Sequence, residues 1–259
     1  ELEKVLLSFI HDISDWVITF DKNMGPEVYD LPGKENEIPF LLDYIPGQEI
    51  NGISSYLTTR PTTEIIGLLG PHFAEYNIDI RNDEKKLKIL LEDLRTISSS
   101  LIMQFNSTEN KAFEVLGTAF TKRVLEKKKI LTDSFLIPID LHKDLFENLP
   151  QANKSRADNL LVKINDENRE ICITVIEIKC RKSLSGSEHS DLVEKMQSQI
   201  LNTIEALRYH FDNTYNLTAD RLDRELKTLE LKSLFEFYLN RANRYGFINS
   251  EVQDRKSVV

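Results

Sequence analysis

Two apolar, β-branched runs separated by a short polar segment restrict the folds open to this chain more than any other feature of its sequence. The runs occupy residues 160–164 and 171–180, and residues 165–170 between them have the composition of a turn. This spacing predicts a β-hairpin. A similar run at 135–141 predicts an earlier strand, which a polar loop connects to the hairpin.

Apolar residues at helical spacing predict helices on both sides of these strands. The predicted helices cover about residues 107–129, 191–211 and 223–245. In the first of them we expect a buried stripe formed by Phe113, Leu116, Phe120 and Val124. Residues 185–187, Ser-Gly-Ser, predict a flexible loop before the second helix, and the polar residues 249–259 predict a frayed end.

The first hundred residues have a different pattern, which predicts a smaller mixed α/β unit. Predicted strands cover about 16–20, 39–45 and 54–59, and predicted helices cover 63–69 and about 82–101. The shorter helix is expected to stop at Gly70 and Pro71, because proline interrupts helical hydrogen bonding. This region contains no GxxxxGK[ST] motif, so nucleotide binding by a P-loop is excluded.

The distribution of charge also divides the chain into two parts. Residues 1–105 contain 18 acidic and 9 basic residues, whereas residues 106–259 contain 24 of each. We therefore predict an acidic docking or linking unit over 1–105 and a second domain over 106–259 that ends in a helix. Because the second part has no net charge, any site for a polyanion must be local.

Simple counts argue against a membrane span and against a disulfide between the two cysteines. The apolar runs are far shorter than the 18 residues of a membrane span. Cys172 and Cys180 lie in one predicted strand, where eight residues at about 3.3 Å each hold them too far apart for a disulfide. Free cysteines fit a reducing cytoplasm. The chain begins at Glu1 without a leader peptide, and we expect it to be a piece of a longer protein.

Three charged residues at one end of the hairpin point to chemistry. Side chains alternate along a strand, so Glu177 and Lys179 are expected on one face, and Asp158 opens the partner strand beside them. Two carboxylates supply hard oxygen ligands for a divalent cation, and an ammonium can offset charge on a phosphate undergoing attack. The alternative is an ion pair between Glu177 and Lys179 on a solvated face.

This order of elements, with Asp158 before one strand and Glu177-Ile178-Lys179 in the next, resembles the PD-(D/E)XK nuclease superfamily. The resemblance covers about residues 108–211. It implies a restriction-endonuclease-like core, an α/β fold with a mixed sheet flanked by helices, preceded here by the smaller α/β unit. It further implies that Asp158 and Glu177 bind Mg²⁺, that Mn²⁺ can substitute, and that Lys179 is the catalytic lysine.

The resemblance also implies roles for residues around these three. Glu114 matches an acidic metal ligand on the preceding helix. A glutamine on the following helix is frequent in such nucleases; Gln197 and Gln199 both qualify, and we favour Gln199 as the catalytic one. The proline of the family motif is replaced by Ala157. As residues that could hold DNA phosphates we name three flanking basic side chains: Arg156, Arg181 and Lys182.

Three further segments are similar to parts of large HerA/FtsK-type ATPases of bacterial antiphage defence, such as those of phosphorothioation-dependent restriction. The segments cover residues 14–19, 136–142 and 234–239. This resemblance implies a DNA endonuclease with an ATPase motor elsewhere in the parent chain or complex, and it leaves open a homo-oligomer. Two alternatives remain: a non-catalytic DNA-binding or assembly module of the same fold, and an RNA-processing nuclease.

Overall fold

The computed structural model of this chain has two compact units, Glu1–Lys127 and Lys128–Val259. The residues it describes are 2–30, 40–60, 62–74, 84–102, 109–146, 155–165, 170–180, 186–212, 214–215 and 223–248. Within them, no helix combines the length and the apolar character that crossing a membrane requires.

The first unit contains a three-stranded antiparallel sheet. Its strands are β1 (Trp16–Asp21), β2 (Phe40–Asp43) and β3 (Ser54–Thr59), in the order β1-β3-β2. The predicted strands are thereby confirmed, with β2 shorter than its apolar run. On one face of the sheet the rings of Tyr29, Tyr44 and Tyr56 stack, with centroids 4.1 and 4.9 Å apart.

Helices whose bounds the structure describes accompany this sheet in the first unit. They are α1 (Leu2–His11), α2 (Thr62–Ala74), α3 (Glu84–Ile97) and α4 (Glu109–Lys127). Helix α2 does not stop at Gly70 and Pro71 as predicted, but continues through the proline. The reason lies in packing, because Phe73 beyond the proline is buried in the same cluster as Leu69. Burial of such a ring contributes several kcal/mol, comparable with the cost of an internal proline.

Helix α4 belongs to the first unit, and not to the second domain in which the predicted boundary at 105/106 placed it. Ala119 packs in one core cluster with Leu91 and Leu94 of α3. Beside them, Nζ of Lys122 lies 2.9 Å from Oδ1 of Asp93, and both residues are buried. The arginine that follows Lys122 also pairs with the second oxygen of Asp93. A buried ion pair therefore joins α3 to α4.

The buried stripe predicted for α4 is wrong, because the helix buries Lys122 against Asp93 of α3. Phe120 is 71% exposed and Val124 is 37% exposed, while Lys122 is buried. A hydrophobic pattern within one helix carries no information about a charged partner on another helix. Of the remaining predicted stripe residues, Leu116 packs against the core of this unit, and nothing is described for the side chain of Phe113.

We expect Lys122→Met to destabilise the first unit by about 1–3 kcal/mol, because it removes one partner of the buried Asp93 carboxylate and leaves the arginine alone to compensate it. Trp16 is the single tryptophan of the chain and packs against this core, so its fluorescence reports unfolding of this unit. Urea unfolding followed by that signal gives the measurement. Lys127→Met, at an exposed position of the same helix, is the control and should change stability by less than about 0.5 kcal/mol.

The second unit contains the hairpin predicted from the sequence. Its strands are β4 (Ser134–Pro138), β5 (Asn159–Asn165) and β6 (Glu170–Ile176), paired antiparallel in the order β4-β5-β6. The mixed α/β class is confirmed. The mixed sheet is not found, since both sheets within the described residues are antiparallel. β4 is also shorter than its apolar run, because the chain turns into a 3₁₀ helix at Ile139–His142.

Helices cover the apolar face of this second sheet. They are α5 (Lys143–Phe146), α6 (Gly186–Phe211) and α7 (Arg224–Arg244). The last agrees with the prediction, whereas α6 begins earlier and includes Gly186 and Ser187 of the predicted loop; Ser185 and residues 249–259 lie outside the described part. The register places four strand residues opposite each other on one face: Phe135, Ile137, Leu160 and Val162. These pack with Leu234 and Tyr238 of α7 in a single core cluster.

His142 is buried against this core, where its Nε2 lies 3.0 Å from the hydroxyl of Tyr238. Burial lowers the pKa of His142 from 6.5 to about 4. The folded protein therefore binds a proton at this site less readily than the unfolded chain does. The contribution of the neutral imidazole to stability is complete above pH 6.5 and is lost as the pH falls towards 4.

We expect the second unit to lose about 2 kcal/mol more stability between pH 7.5 and pH 5 in the wild type than in His142→Gln, which does not titrate. The measurement is urea unfolding followed by circular dichroism, taking the transition that Trp16 fluorescence does not follow. Tyr238→Phe should keep the pH dependence, because burial and not the hydrogen bond lowers the pKa. An unchanged pH dependence in His142→Gln would contradict this assignment.

Candidate active site

The candidate site lies where the β5–β6 ladder ends. The last paired residues are Asn159 and Ile176. Asp158 precedes Asn159, and its Oδ2 accepts a hydrogen bond of 2.6 Å from the backbone N–H of Ile178, two residues after Ile176. The side chain of Asp158 thus replaces the backbone carbonyl that a longer strand would have provided. This explains why β6 ends at Ile176, although the apolar run had predicted a strand to Cys180.

The backbone of Asp158 is held as firmly as its carboxylate. Its carbonyl oxygen accepts a hydrogen bond of 2.9 Å from the N–H of Ile139, at the start of the 3₁₀ helix that follows β4. Asp158 therefore links the segment after β4 to the segment after β6. These two hydrogen bonds fix Asp158 between the two segments.

Glu177 and Lys179 form an ion pair beside Asp158. Ile173 and Val175 of β6 pack against the core, and the alternation of side chains directs Glu177 to the same side. The Glu177 side chain is fully buried, whereas the side chain of Lys179 is 19% exposed. The predicted alternative is therefore correct about the ion pair and wrong about a solvated face.

Burial and the neighbouring charges strongly affect the pKa of Asp158. Burial raises the pKa of Asp158 to about 7, and the negative charge of Glu177 adds to the rise. The hydrogen bond from Ile178 and the charge of Lys179 act in the opposite direction, and Asp140 contributes a smaller increase. Asp158 therefore gains or loses its proton near neutral pH, a property found at many catalytic sites.

The donor set of this site suits a hard divalent cation. Asp158 and Glu177 offer carboxylate oxygens, and Mg²⁺ commonly binds through one or two carboxylates while it keeps several waters. Within the described residues, no group of three or more His, Cys, Asp or Glu side chains is placed to hold a metal. A metal would thus have two carboxylates of this unit as its ligands, with water and a substrate oxygen completing its coordination.

Polar side chains of α6 hold the residues just before Asp158. Nε2 of Gln199 donates to the carbonyl of Arg156 at 2.7 Å. Nδ2 of Asn202 donates to the carbonyl and to Oγ of Ser155, at 3.3 and 3.1 Å. Oγ1 of Thr203 accepts a hydrogen bond of 2.9 Å from the N–H of Ala157. We call Gln199, Asn202 and Thr203 the α6 clamp.

The remaining predicted site residues have different outcomes. Gln199 donates a hydrogen bond to the backbone carbonyl of Arg156, two residues before Asp158. A direct role of either side chain stays a prediction. Gln197 is exposed. Glu114 is half-buried on α4, in the first unit, so its role as a metal ligand stays a prediction. Arg181 and Lys182 lie outside the described residues.

Sequence reasoning did not identify Asn202, Thr203 or Asp140. For the first two a signal exists, because Gln199, Asn202 and Thr203 are spaced i, i+3 and i+4 and therefore share one helix face. For Asp140 no local signal exists, since its proximity to Asp158 depends on the pairing of β4 with β5. His142, two residues later, is engaged with Tyr238 in the core and not with the site.

Comparison with known proteins assigns no family. No protein-family model matches the chain, and neither the curated proteins nor the solved structures contain a significant match. A function has to be inferred from the geometry and chemistry of the site itself, because a fold alone does not determine a function.

The raised pKa of Asp158 makes its ionised form destabilising. Its ordinary pKa is 3.8, so its contribution to stability is complete below that pH and is lost as the pH rises through about 7. Asp158→Asn keeps an acceptor for the N–H of Ile178 but cannot ionise. We expect the stability gained by this substitution to be about 1–2 kcal/mol larger at pH 8 than at pH 5.

Urea unfolding of the second unit at the two pH values measures this difference. Asp191→Asn, at an exposed position on α6, is the matched control and should change stability by less than about 0.5 kcal/mol at either pH. If Asp158→Asn changed the stability equally at pH 5 and pH 8, Asp158 would have an ordinary pKa and the described electrostatics would be wrong.

Proposed function

We propose that this chain contains a metal-dependent DNA endonuclease with a restriction-endonuclease-like core of the PD-(D/E)XK type. The observation that carries the proposal is the cluster at the end of β5 and β6. There the carboxylate of Asp158 accepts a hydrogen bond from the N–H of Ile178. The charge of Glu177 adds to the raised pKa of Asp158, and Lys179 pairs with Glu177 beside it. Two carboxylates can hold a divalent cation, and one ammonium can offset the charge of a phosphodiester under attack.

In the proposed reaction each residue has a distinct task. Asp158 and Glu177 would hold Mg²⁺, or Mn²⁺ in its place, and the metal would supply Lewis-acid catalysis. Lys179 donates a hydrogen bond to a non-bridging phosphate oxygen and offsets the charge that develops there. The water oxygen would form a bond to phosphorus as one ester P–O bond breaks. The proton that the water loses would pass to solvent, and the departing oxygen would take one up, so that protons balance. Gln199 would support the site by donating a hydrogen bond to the carbonyl of Arg156, in the segment before Asp158.

Binding of DNA in this proposal depends on few contacts. The second part of the chain has no net charge, so general attraction to a polyanion is weak. Arg156, Arg181 and Lys182 lie within three residues of Asp158 or Lys179 in the sequence, and we assign them to phosphate contacts.

The wider context follows from the resemblance to ATPases of antiphage defence. In this proposal the chain is the nuclease part of a larger bacterial restriction protein that acts in the cytoplasm. An ATPase motor in the parent chain or complex moves DNA, and the acidic first unit docks or links the nuclease to it. Association of several nuclease copies would allow both strands to be cut.

One observation favours a second function, a non-catalytic DNA-binding or assembly module of the same fold. Both Glu177 and Lys179 are already engaged with each other, and the Glu177 carboxylate is fully buried. A metal at Glu177 would have to compete with Lys179 for the carboxylate. If the metal does not win this competition, the pair has a purely structural role. An RNA-processing nuclease is the remaining alternative, because the same groups hydrolyse either nucleic acid.

Nicking of supercoiled plasmid in the presence of Mg²⁺ or Mn²⁺ tests the catalytic proposal. We expect nicking by the wild type and a loss of about 100-fold or more in Asp158→Asn. The second variant should be the double substitution Glu177→Gln/Lys179→Met. Removing Lys179 alone would leave a buried unpaired carboxylate at a cost of about 3–5 kcal/mol, which could unfold the protein. Lys195→Met, at an exposed position on α6, should cut like the wild type.

The alternatives give different results in the same experiment. Nicking that survives Asp158→Asn would reject the site. Absence of nicking, together with no metal bound in calorimetry, would favour the non-catalytic module. Cleavage of an RNA substrate in preference to a DNA substrate of matched sequence would favour the RNA-processing nuclease.

A further inference from the structure

We propose that Thr203 is a positioning residue that sets the geometry of Asp158 through the backbone of Ala157. Its catalytic consequence rests on the proposed nuclease function, whereas its structural consequence does not. Thr203 lies on α6, is fully buried, and forms two hydrogen bonds to the main chain.

The hydroxyl of Thr203 connects two elements at one atom. It donates its proton to the carbonyl of Gln199 at 2.9 Å and accepts the N–H of Ala157 at 2.9 Å. A hydroxyl has one proton to donate and two lone pairs, so both bonds can form together. The orientation of the hydroxyl is thereby fixed, with its lone pair directed at the residue that precedes Asp158.

No strand pairing satisfies the backbone N–H of Ala157 instead. The β5 ladder begins at Asn159, so Ser155, Arg156 and Ala157 lie outside the sheet. Ala157 is nonetheless buried, and a buried N–H without an acceptor costs about 1–3 kcal/mol. Thr203 provides the acceptor, and the other two members of the α6 clamp hold the carbonyls of the two residues before it.

The effect should reach the other strand through Asp158. If Ala157 is released, the backbone of Asp158 keeps the hydrogen bond from Ile139 but loses its support from the preceding residue, so the carboxylate is held less firmly against the N–H of Ile178. Exchange of the Ile178 amide proton with solvent should then accelerate, although Ile178 is far from Thr203 in sequence. A threonine that only stabilised α6 would leave this amide unaffected.

The chain offers a closely matched control. Thr228 on α7 also donates its hydroxyl to the carbonyl four residues earlier, Arg224, at 2.9 Å, but it is exposed. Thr228→Val therefore removes only the bond within a helix. Thr203→Val removes the equivalent bond and in addition the acceptor for Ala157. The difference between the two variants isolates the positioning contact.

Amide hydrogen exchange followed by NMR is the decisive measurement, with Val162 of the central strand β5 as the internal reference for general destabilisation. In Thr203→Val we expect exchange at Ile178 to accelerate at least about 10-fold more than exchange at Val162. Thr203→Ser, which keeps the hydroxyl, should restore the wild-type ratio, and Thr228→Val should not change it. An unchanged ratio in Thr203→Val overturns the proposal.

Two further measurements complete the test. With plasmid as the substrate, Thr203→Val should lower kcat by about 10- to 100-fold, with Thr203→Ser within about 3-fold of the wild type. If Thr203→Val does not fold, Asn202→Ala serves instead, with an expected acceleration at Ile178 of about 3-fold relative to Val162; no acceleration overturns the proposal. If the wild type does not cut DNA, the nuclease proposal fails, and the exchange ratio alone still decides the role of Thr203.

Discussion

The hydrogen bond from the N–H of Ile178 to the carboxylate of Asp158 is the contact on which the candidate site depends. It ends the β5–β6 ladder, since a side chain takes the place of the next backbone acceptor. It also brings a carboxylate to the chain segment that carries Glu177 and Lys179. Without it, nothing in the ladder would hold the two segments together beyond Asn159 and Ile176. The same contact thus terminates the regular structure and assembles the charged cluster.

The cost of that cluster is evident from its electrostatics. Glu177 is fully buried and is compensated by Lys179, while burial and the nearby Glu177 raise the pKa of Asp158. Apolar residues of similar volume often stabilise a fold more than a buried ion pair does. A carboxylate whose ionisation destabilises the fold is therefore poorly explained by stability alone. Such groups are common where catalysis or binding requires them, which favours a functional reading of Asp158.

The sequence predicts local features of this protein well and long-range features poorly. The hairpin strands, β3 and α7 could be located because composition, turn residues and periodicity are local properties. The charged cluster could be predicted because alternation along a strand places Glu177 and Lys179 together. The burial of Lys122 could not, since it depends on Asp93 of another helix. The clamp formed by α6 was missed for a related reason, because polar residues on a helix normally face solvent and here they face an unpaired segment of backbone.

The α6 clamp supports an irregular backbone segment just before Asp158. Three side chains of one helix are used to satisfy the backbone of Ser155, Arg156 and Ala157, a segment that belongs to no strand. Such a segment could have been replaced by a regular extension of β5, which would satisfy its own hydrogen bonds. An extended strand, however, would pair its backbone with the residues after Ile176 and would displace the carboxylate of Asp158 from the N–H of Ile178. The irregular backbone and the helix that supports it are therefore the structural requirement for presenting Asp158 beside Glu177 and Lys179.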